Sequence, residues 1–369
     1  MLLSLVTYTY NDHDFALDLL KIIPSFARPN EIIVVDDGSA VPFPAPDGVR
    51  VVRSESNRGP AQAKRLGIGA ARGDVVLSLD CDIRPHRRWL HNALPLLADP
   101  KVALVGATII PALADNYLSR ARSVVLRPEK KTRQTRIVAA GIWLFLKKMW
   151  RQLNGLDAYV GKTHEDVWFS LKAGYAGFCL LRADTYPVYE KRRLHRLQYI
   201  RRHVRYGLCS RFRKAIQREE APPALVLRND LMKALQYCRK SGEWAFLYIE
   251  IVRIVAYIAE SADFLENSAV SDKAAVTGGP AIATALRFFR PYPALSALMR
   301  EDLAALGFFP SGADAGTSSF PYLENIFTSA LPAEALTELD ASWPEKLRQE
   351  DREKQYDFHY ITSGIVSGG

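Results

Sequence analysis

Apolar residues in the first half of the chain fall into short continuous runs separated by stretches of helical spacing. Leu3-Ser4-Leu5-Val6-Thr7 is the first run, and it ends in the turn cluster Tyr10-Asn11-Asp12. Phe15 to Phe26 has helical spacing, and Glu31-Ile32-Ile33-Val34-Val35 reads as a strand closed by Asp36-Asp37-Gly38-Ser39. Val49 to Arg53 predicts a third strand, Gly59 to Ala71 a helix, and Asp74 to Leu79 a fourth strand. Continuous Val/Ile/Leu runs alternating with helices predict an α/β fold whose mostly parallel sheet is buried on both faces. Ligands bind at the carboxyl ends of such strands, which is where Asp36, Asp37, Asp80 and Asp82 fall.

Beyond Trp89 the pattern predicts a helix, a strand over Val102 to Ala107, and a basic, polar loop over Arg120 to Arg136. Ile137 to Lys147 returns to strand character, and His164-Glu165-Asp166 opens a helix running to Gly174. From Lys191 to Arg218 the chain is Arg-rich with scattered aromatic and aliphatic residues. The remainder reads as mainly helical, with a Gly/Ser/Ala-rich stretch near Gly307 to Ser319 and a polar tail after Trp343. Trp244 to Ala259 is the most apolar segment. Glu250 and Arg253 interrupt it and it is short for a bilayer, so it reads as a buried or amphipathic helix.

Composition narrows the partners more than the fold. The chain's 369 residues allow one large domain, or a domain of about 200 residues with an appendage. The net charge of +9 points to anionic partners such as nucleotide diphosphates, acidic headgroups or nucleic acid. Cys81, Cys179, Cys209 and Cys238 show no metal-type spacing and suit a reducing compartment. Met1 to Val6 lacks a basic leader and a cleavage site, and reads directly as a strand. Together these predict a cytoplasmic protein.

Leu79-Asp80-Cys81-Asp82 carries the most chemistry. Side chains alternate along a strand, so Asp80 and Asp82 leave on one side where the strand gives way to a loop. Two adjacent carboxylates repel, and hard oxygen ligands favour Mg²⁺ or Mn²⁺ with positions left open for phosphate oxygens. An acidic turn after a strand has the same letters. Asp36-Asp37-Gly38-Ser39 likewise suits a plain turn. Small residues in Asn57-Arg58-Gly59-Pro60-Ala61-Gln62-Ala63-Lys64-Arg65 let a helix pack close to the sheet, with Lys64 facing either a diphosphate or solvent. Glu165 and Asp166 at a helix N-terminus could act only as caps.

Taken together, five ordered motifs resemble a family 2 glycosyltransferase of the GT-A fold. They are Val6-Thr7-Tyr8-Thr9-Tyr10-Asn11, Val34-Val35-Asp36-Asp37-Gly38-Ser39, Asn57-Arg58-Gly59, Gly73-Asp74 leading to Asp80-Cys81-Asp82, and Gly155-Leu156-Asp157 leading to His164-Glu165-Asp166. The resemblance implies a glycosyltransferase domain over residues 1–210, with a nucleotide-sugar half to about 110 and an acceptor half beyond it. Residues 211–369 carry no family motif and form a mainly helical region.

What the resemblance implies for the site is specific. Asp36 and Asp37 would read the nucleotide base or ribose, flanked by Thr7, Tyr8 and Thr9, in a chain that has Tyr8 where most relatives carry proline. Asp80 and Asp82 would hold Mn²⁺ or Mg²⁺ on the diphosphate, with His195 as a third ligand. Lys64 stands where relatives usually show arginine. Asp166 would be the general base on an acceptor hydroxyl, with Glu165 orienting the acceptor or tuning that base. Arg202 and Arg205 would clamp the departing diphosphate, although the same Arg-rich 191–218 segment could lie on anionic lipid. The donor is expected to be a UDP-sugar, the acceptor a glycan or lipid-linked hydroxyl, and the outcome inversion. Two alternatives share the framework: a non-catalytic nucleotide-sugar-binding scaffold, and a sugar-nucleotidyltransferase. The latter calls for a Gly-rich basic loop after the first strand, which Thr7 to Asp14 lacks. No nucleic-acid motif accompanies the arginines.

Overall fold

The computed structural model describes residues 1–113, 116–125, 128–159, 164–193, 195–202, 223–266, 279–306 and 321–352. The chain divides into two compact units, one of Met1–Ala114 with Arg122–Arg193, the other of Asp115–Ala121 with Leu194–Gly369.

The first unit is the α/β unit that the hydrophobic pattern predicts. Its strands are β1 (Leu3–Thr9), β2 (Glu31–Asp36), β3 (Val49–Arg53), β4 (Val75–Asp80), β5 (Ile83–Pro85), β6 (Val102–Gly106), β7 (Ile109–Pro111), β8 (Thr132–Thr135), β9 (Ile142–Leu146), β10 (Cys179–Ala183) and β11 (Val188–Glu190). Eight of them form one sheet in the order β3-β2-β1-β4-β9-β6-β10-β8, and β5-β11-β7 form a second, small sheet. β1, β2, β3 and β4 run parallel, as do β6 and β10, while β9 is antiparallel to both of its neighbours.

Side-chain alternation splits the core between the two faces of this sheet. Val6, Ile33, Val35 and Val76 face one layer with Ala61, Ala63 and Ile68 of helix α2 (Pro60–Ala70) and the aromatics Trp143, Trp150 and Phe169. Leu5, Leu77 and Leu79 face the other, with Leu19 and Ile23 of α1 (His13–Phe26) and Trp89 of α3 (Trp89–Ala93). The pivot of α2 is Gly67, where a Cβ would stand 2.5 Å from Val6 Cγ1 and 2.8 Å from Val35 Cγ2. Any larger residue there would lift the helix off β1 and β2.

The expected loop over Arg120 to Arg136 is instead largely ordered structure: helix α4 (Tyr117–Val125) and strand β8. Tyr117 and Leu118 are buried in the second unit, and β8 pairs antiparallel with β10 at the sheet edge. Helices α5 (Lys147–Gln152) and α6 (Glu165–Tyr175) complete the first unit.

The second unit is helical: α7 (Pro223–Ser241), α8 (Ala245–Glu266), α9 (Gly279–Phe288), α10 (Pro293–Ala305), α11 (Pro321–Ala330) and α12 (Ala333–Arg352). α8 covers the most apolar segment of the sequence and is the buried centre of this unit, with Glu250 neutralised by Arg253 at 2.8 Å. No described helix is long and apolar enough to cross a membrane. The polar stretch expected as a tail after Trp343 continues α12 as far as Arg352. Gly307 to Ser319 lies outside the described residues.

Candidate active site

Three strand ends and two helix starts of the first unit assemble the candidate site. β1 and β4 pair in a register that sets Tyr8 beside Asp80, and β1 with β2 sets Thr9 beside Asp36. α2 then lays Lys64 across the first pair. The Lys64 ammonium, 1% exposed, lies 2.9 Å from Asp80 Oδ1 and 3.1 Å from Glu165 Oε1. It donates to Tyr8 Oη at 3.2 Å and sits over the Tyr8 ring, 4.5 Å from its centroid. One buried cation therefore gathers three segments distant in sequence: the end of β1, the end of β4 and the start of α6.

Asp80 and Asp82 each have a cation. The Asp80 side chain is 27% exposed although its Oδ1 is buried, so its open edge faces away from Lys64. Burial pushes its carboxyl above the usual range against the pull of Lys64, and the charge on Asp82 adds to the rise. Asp82 accepts from Arg192 Nε at 2.8 Å, and Arg192 also donates from both terminal nitrogens to the two oxygens of Asp12, at 3.3 and 2.8 Å. The guanidinium packs over the Phe15 ring at 4.7 Å. Neither Arg192 nor Asp12 stands out in the sequence. Arg192 is one of three basic letters after β11, and Asp12 belongs to an ordinary turn cluster; only their meeting gives them a role.

Asp36 and Asp37 are occupied by their own loop. Asp36 is fully buried and accepts from the amides of Ser39 at 2.9 Å and Phe43 at 3.0 Å, and from Arg53. Burial raises its carboxyl, but Ser39, the Phe43 amide and Arg53 outweigh that and hold it below the usual range. Asp37 accepts from the Gly59 amide at 2.8 Å and the Arg58 amide at 3.1 Å, fastening the β2 turn to the entrance of α2. Its carboxyl is raised by burial in spite of those amides. Thr7 and Thr9 are buried beneath the same strand end.

Asp166 lies in the first turn of α6, after His164, whose backbone is left-handed with φ 74°. It accepts from the Val167 amide at 2.8 Å. Burial raises its carboxyl, with the amides of Val167 and Ala140 and the charge of Lys64 pulling the other way. A half-buried carboxylate whose pKa is raised accepts a proton more readily than an ordinary aspartate. Glu165 is 5% exposed, with Lys64 as its partner.

His195 and Arg202 belong to the second unit. The His195 amide donates to Gln198 Oε1 at 3.3 Å. Arg205 lies outside the described residues. Among the described residues no three His, Cys, Asp or Glu side chains gather as a metal cluster. Two neighbouring carboxylates, one with an open edge, fit a hard divalent cation that takes its remaining ligands from phosphate oxygens and water.

The family model Glycosyl transferase family 2 matches residues 4–152. The pre-mycofactocin glycosyltransferase of Mycobacterium tuberculosis is 38% identical over 101 residues, which is 26% of this chain and 21% of that protein. The succinoglycan biosynthesis protein ExoO of Rhizobium meliloti is 48% identical over 65 residues, 15% of this chain and 19% of that protein. The chain thus spans about a fifth of the length of each of these curated relatives. Among solved structures, the mannosyltransferase PcManGT of Pyrobaculum calidifontis, in complex with GDP-Man and Mn²⁺, aligns with a TM-score of 0.46 at 21% identity. That alignment covers 84% of this chain and 88% of that one.

Proposed function

We propose that this chain is a family 2 glycosyltransferase that moves a sugar from a nucleotide-diphosphate donor to an acceptor hydroxyl, with inversion at the anomeric carbon. The observation that carries the reading is the Lys64 cluster. It ties the strand-end carboxylate of Asp80 to Glu165, the neighbour of Asp166, so that donor-side and acceptor-side carboxylates share one charge network. The match of residues 4–152 to the glycosyltransferase model supports the reaction class.

In this reading Asp80 and Asp82 hold Mn²⁺ or Mg²⁺ against the diphosphate; when bound, the ion neutralises charge on the leaving group. Asp166 accepts the proton of the acceptor hydroxyl as the oxygen attacks the sugar C1, and Glu165 keeps the first turn of α6 in place. Asp36 and Asp37 shape the strand-end loop that receives the base of a UDP-sugar, with Thr7, Tyr8 and Thr9 forming its floor. The acceptor is a glycan or lipid-linked hydroxyl. The Arg-rich segment 191–218 is taken to meet an anionic membrane surface at the cytoplasmic face.

Hydrolysis of a panel of nucleotide sugars with Mn²⁺ tests this. Slow release of one nucleoside diphosphate, lost in Asp82→Ala and reduced at least about 100-fold in Asp166→Asn, is expected. Binding of a donor without turnover of any overturns the catalytic reading in favour of a binding scaffold.

A further inference from the structure

We propose that Lys64 is a positioning residue whose buried ammonium sets the distance between the donor-side carboxylate Asp80 and the first turn of α6, and that it touches no part of the substrate. The inference rests on the glycosyltransferase reading above.

The enclosure of the ammonium carries the inference. Lys64 donates to Glu165 Oε1 at 3.1 Å and to Tyr8 Oη at 3.2 Å, and Asp80 Oδ1 lies 2.9 Å away as an ion-pair partner without hydrogen-bond geometry. The side chain is 1% exposed, so a ligand reaching the strand ends meets the far edge of Asp80 rather than the lysine. The Tyr8 ring that carries the accepting hydroxyl lies on that same side, 4.5 Å from the nitrogen, and adds apolar cover there.

Each partner belongs to an element that is itself fixed. Tyr8 and Asp80 are register partners on β1 and β4, and Lys64 rides on the helix that Gly67 allows against β1 and β2. Glu165, by contrast, opens α6 directly after His164, whose backbone is left-handed. Its contact with Lys64 fastens that turn to the sheet, and Asp166 is the next residue. Lys64 thus acts on the reaction through Asp80 and Glu165. A displacement of about 1 Å in a reacting group can cost on the order of 100-fold in rate.

A point charge suits this task better than a planar fork. Arginine is longer and presents its donors in one plane, whereas here three oxygens lie within 3.2 Å of a single nitrogen. Restoring the charge with arginine is therefore not expected to restore the geometry.

The experiment measures kcat and KM for donor hydrolysis, and Kd for the nucleoside diphosphate by calorimetry, in wild type, Lys64→Met, Lys64→Arg and Glu165→Gln. Expected is a loss in kcat of about 100-fold in Lys64→Met, with KM and Kd within about threefold of wild type. Lys64→Arg should recover less than about a tenth of that loss. Glu165→Gln keeps an acceptor oxygen and loses only the charge. It should lower kcat about tenfold by itself and add little to Lys64→Met, because both act through one bridge. A rise in KM or Kd with kcat intact would mean that Lys64 meets the ligand, and unchanged constants would mean that the bridge is only structural; either overturns the inference. If Lys64→Met does not fold, the result for Glu165→Gln decides: an unchanged kcat overturns it. Absence of turnover in wild type instead refutes the transferase reading itself.

Discussion

Arg192 holds Asp82 through Nε at 2.8 Å while its two terminal nitrogens fork Asp12. The same carboxylate is the one proposed to take a divalent ion, so arginine and metal compete for it. Arg192→Ala should bind Mn²⁺ about tenfold more tightly than wild type in nucleotide-free protein, since a charge-assisted hydrogen bond contributes about 1.5–3 kcal/mol. Calorimetry gives the answer directly, and equal affinities would remove Asp82 from the metal site.

Asp166 supplies a pH prediction. Burial holds its folded-state carboxyl above the ordinary aspartate value, and a general base must be ionised. Turnover should therefore fall as pH drops through that raised value, placing the acidic limb of the kcat profile above the usual carboxylate range. Stability moves the other way. A raised carboxyl stabilises the fold below its unfolded pKa, and this contribution is lost as pH rises through the folded value. Asp166→Asn should remove the limb along with the activity and melt higher than wild type at neutral pH. A lower melting temperature would contradict this.

Gly38 has φ +74°, and a Cβ there would lie 2.5 Å from Ser56 C and 2.8 Å from Asn57 N, both backbone atoms. Gly38→Ala should lose at least about 2 kcal/mol, read as a lower urea midpoint at unchanged slope. A midpoint equal to that of wild type would mean the β2 turn can re-form without its left-handed residue.

Asp37 is placed to fasten α2 through the Arg58 and Gly59 amides. Asp37→Ala leaves the Arg58 amide short of its acceptor, while the Gly59 amide keeps Asn57 Oδ1 at 3.0 Å, and should cost about 1–3 kcal/mol, whereas Asp37→Asn, which keeps one oxygen, should cost less. Equal losses for the two variants, measured by denaturant unfolding, would show that charge rather than the hydrogen bonds matters.

The strands at the heart of the first unit were legible because burial on both faces leaves unbroken apolar runs, as in Val75-Val76-Leu77. Positions of motif residues at strand ends followed from the same rule. α4 and β8 were not legible, for two different reasons. Tyr117 and Leu118 of α4 belong to the same core as Leu231 and Tyr248, residues far along the chain that no local period reports. β8, Thr-Arg-Gln-Thr, is an edge strand whose polar letters suit a sheet margin and read as a loop. At the candidate site, the strand-end place of Asp80 and the helix-start place of Asp166 were legible in the pattern. That Lys64 would be buried between carboxylates could not, since a lysine on a helix is ordinarily solvated.

Asp115–Ala121 belongs to the helical unit although 122–193 returns to the sheet unit. The two units are therefore interleaved along the gene, and no single cut in the chain separates them. A fragment starting at 194 would lack Tyr117 and Leu118, which are 5% and 1% exposed within the helical core, and would leave holes where they pack. A fragment ending at 193 would instead carry those two apolar side chains without the core that covers them. For anyone dissecting this protein, truncation is the wrong instrument; point substitution in the intact chain is the informative one.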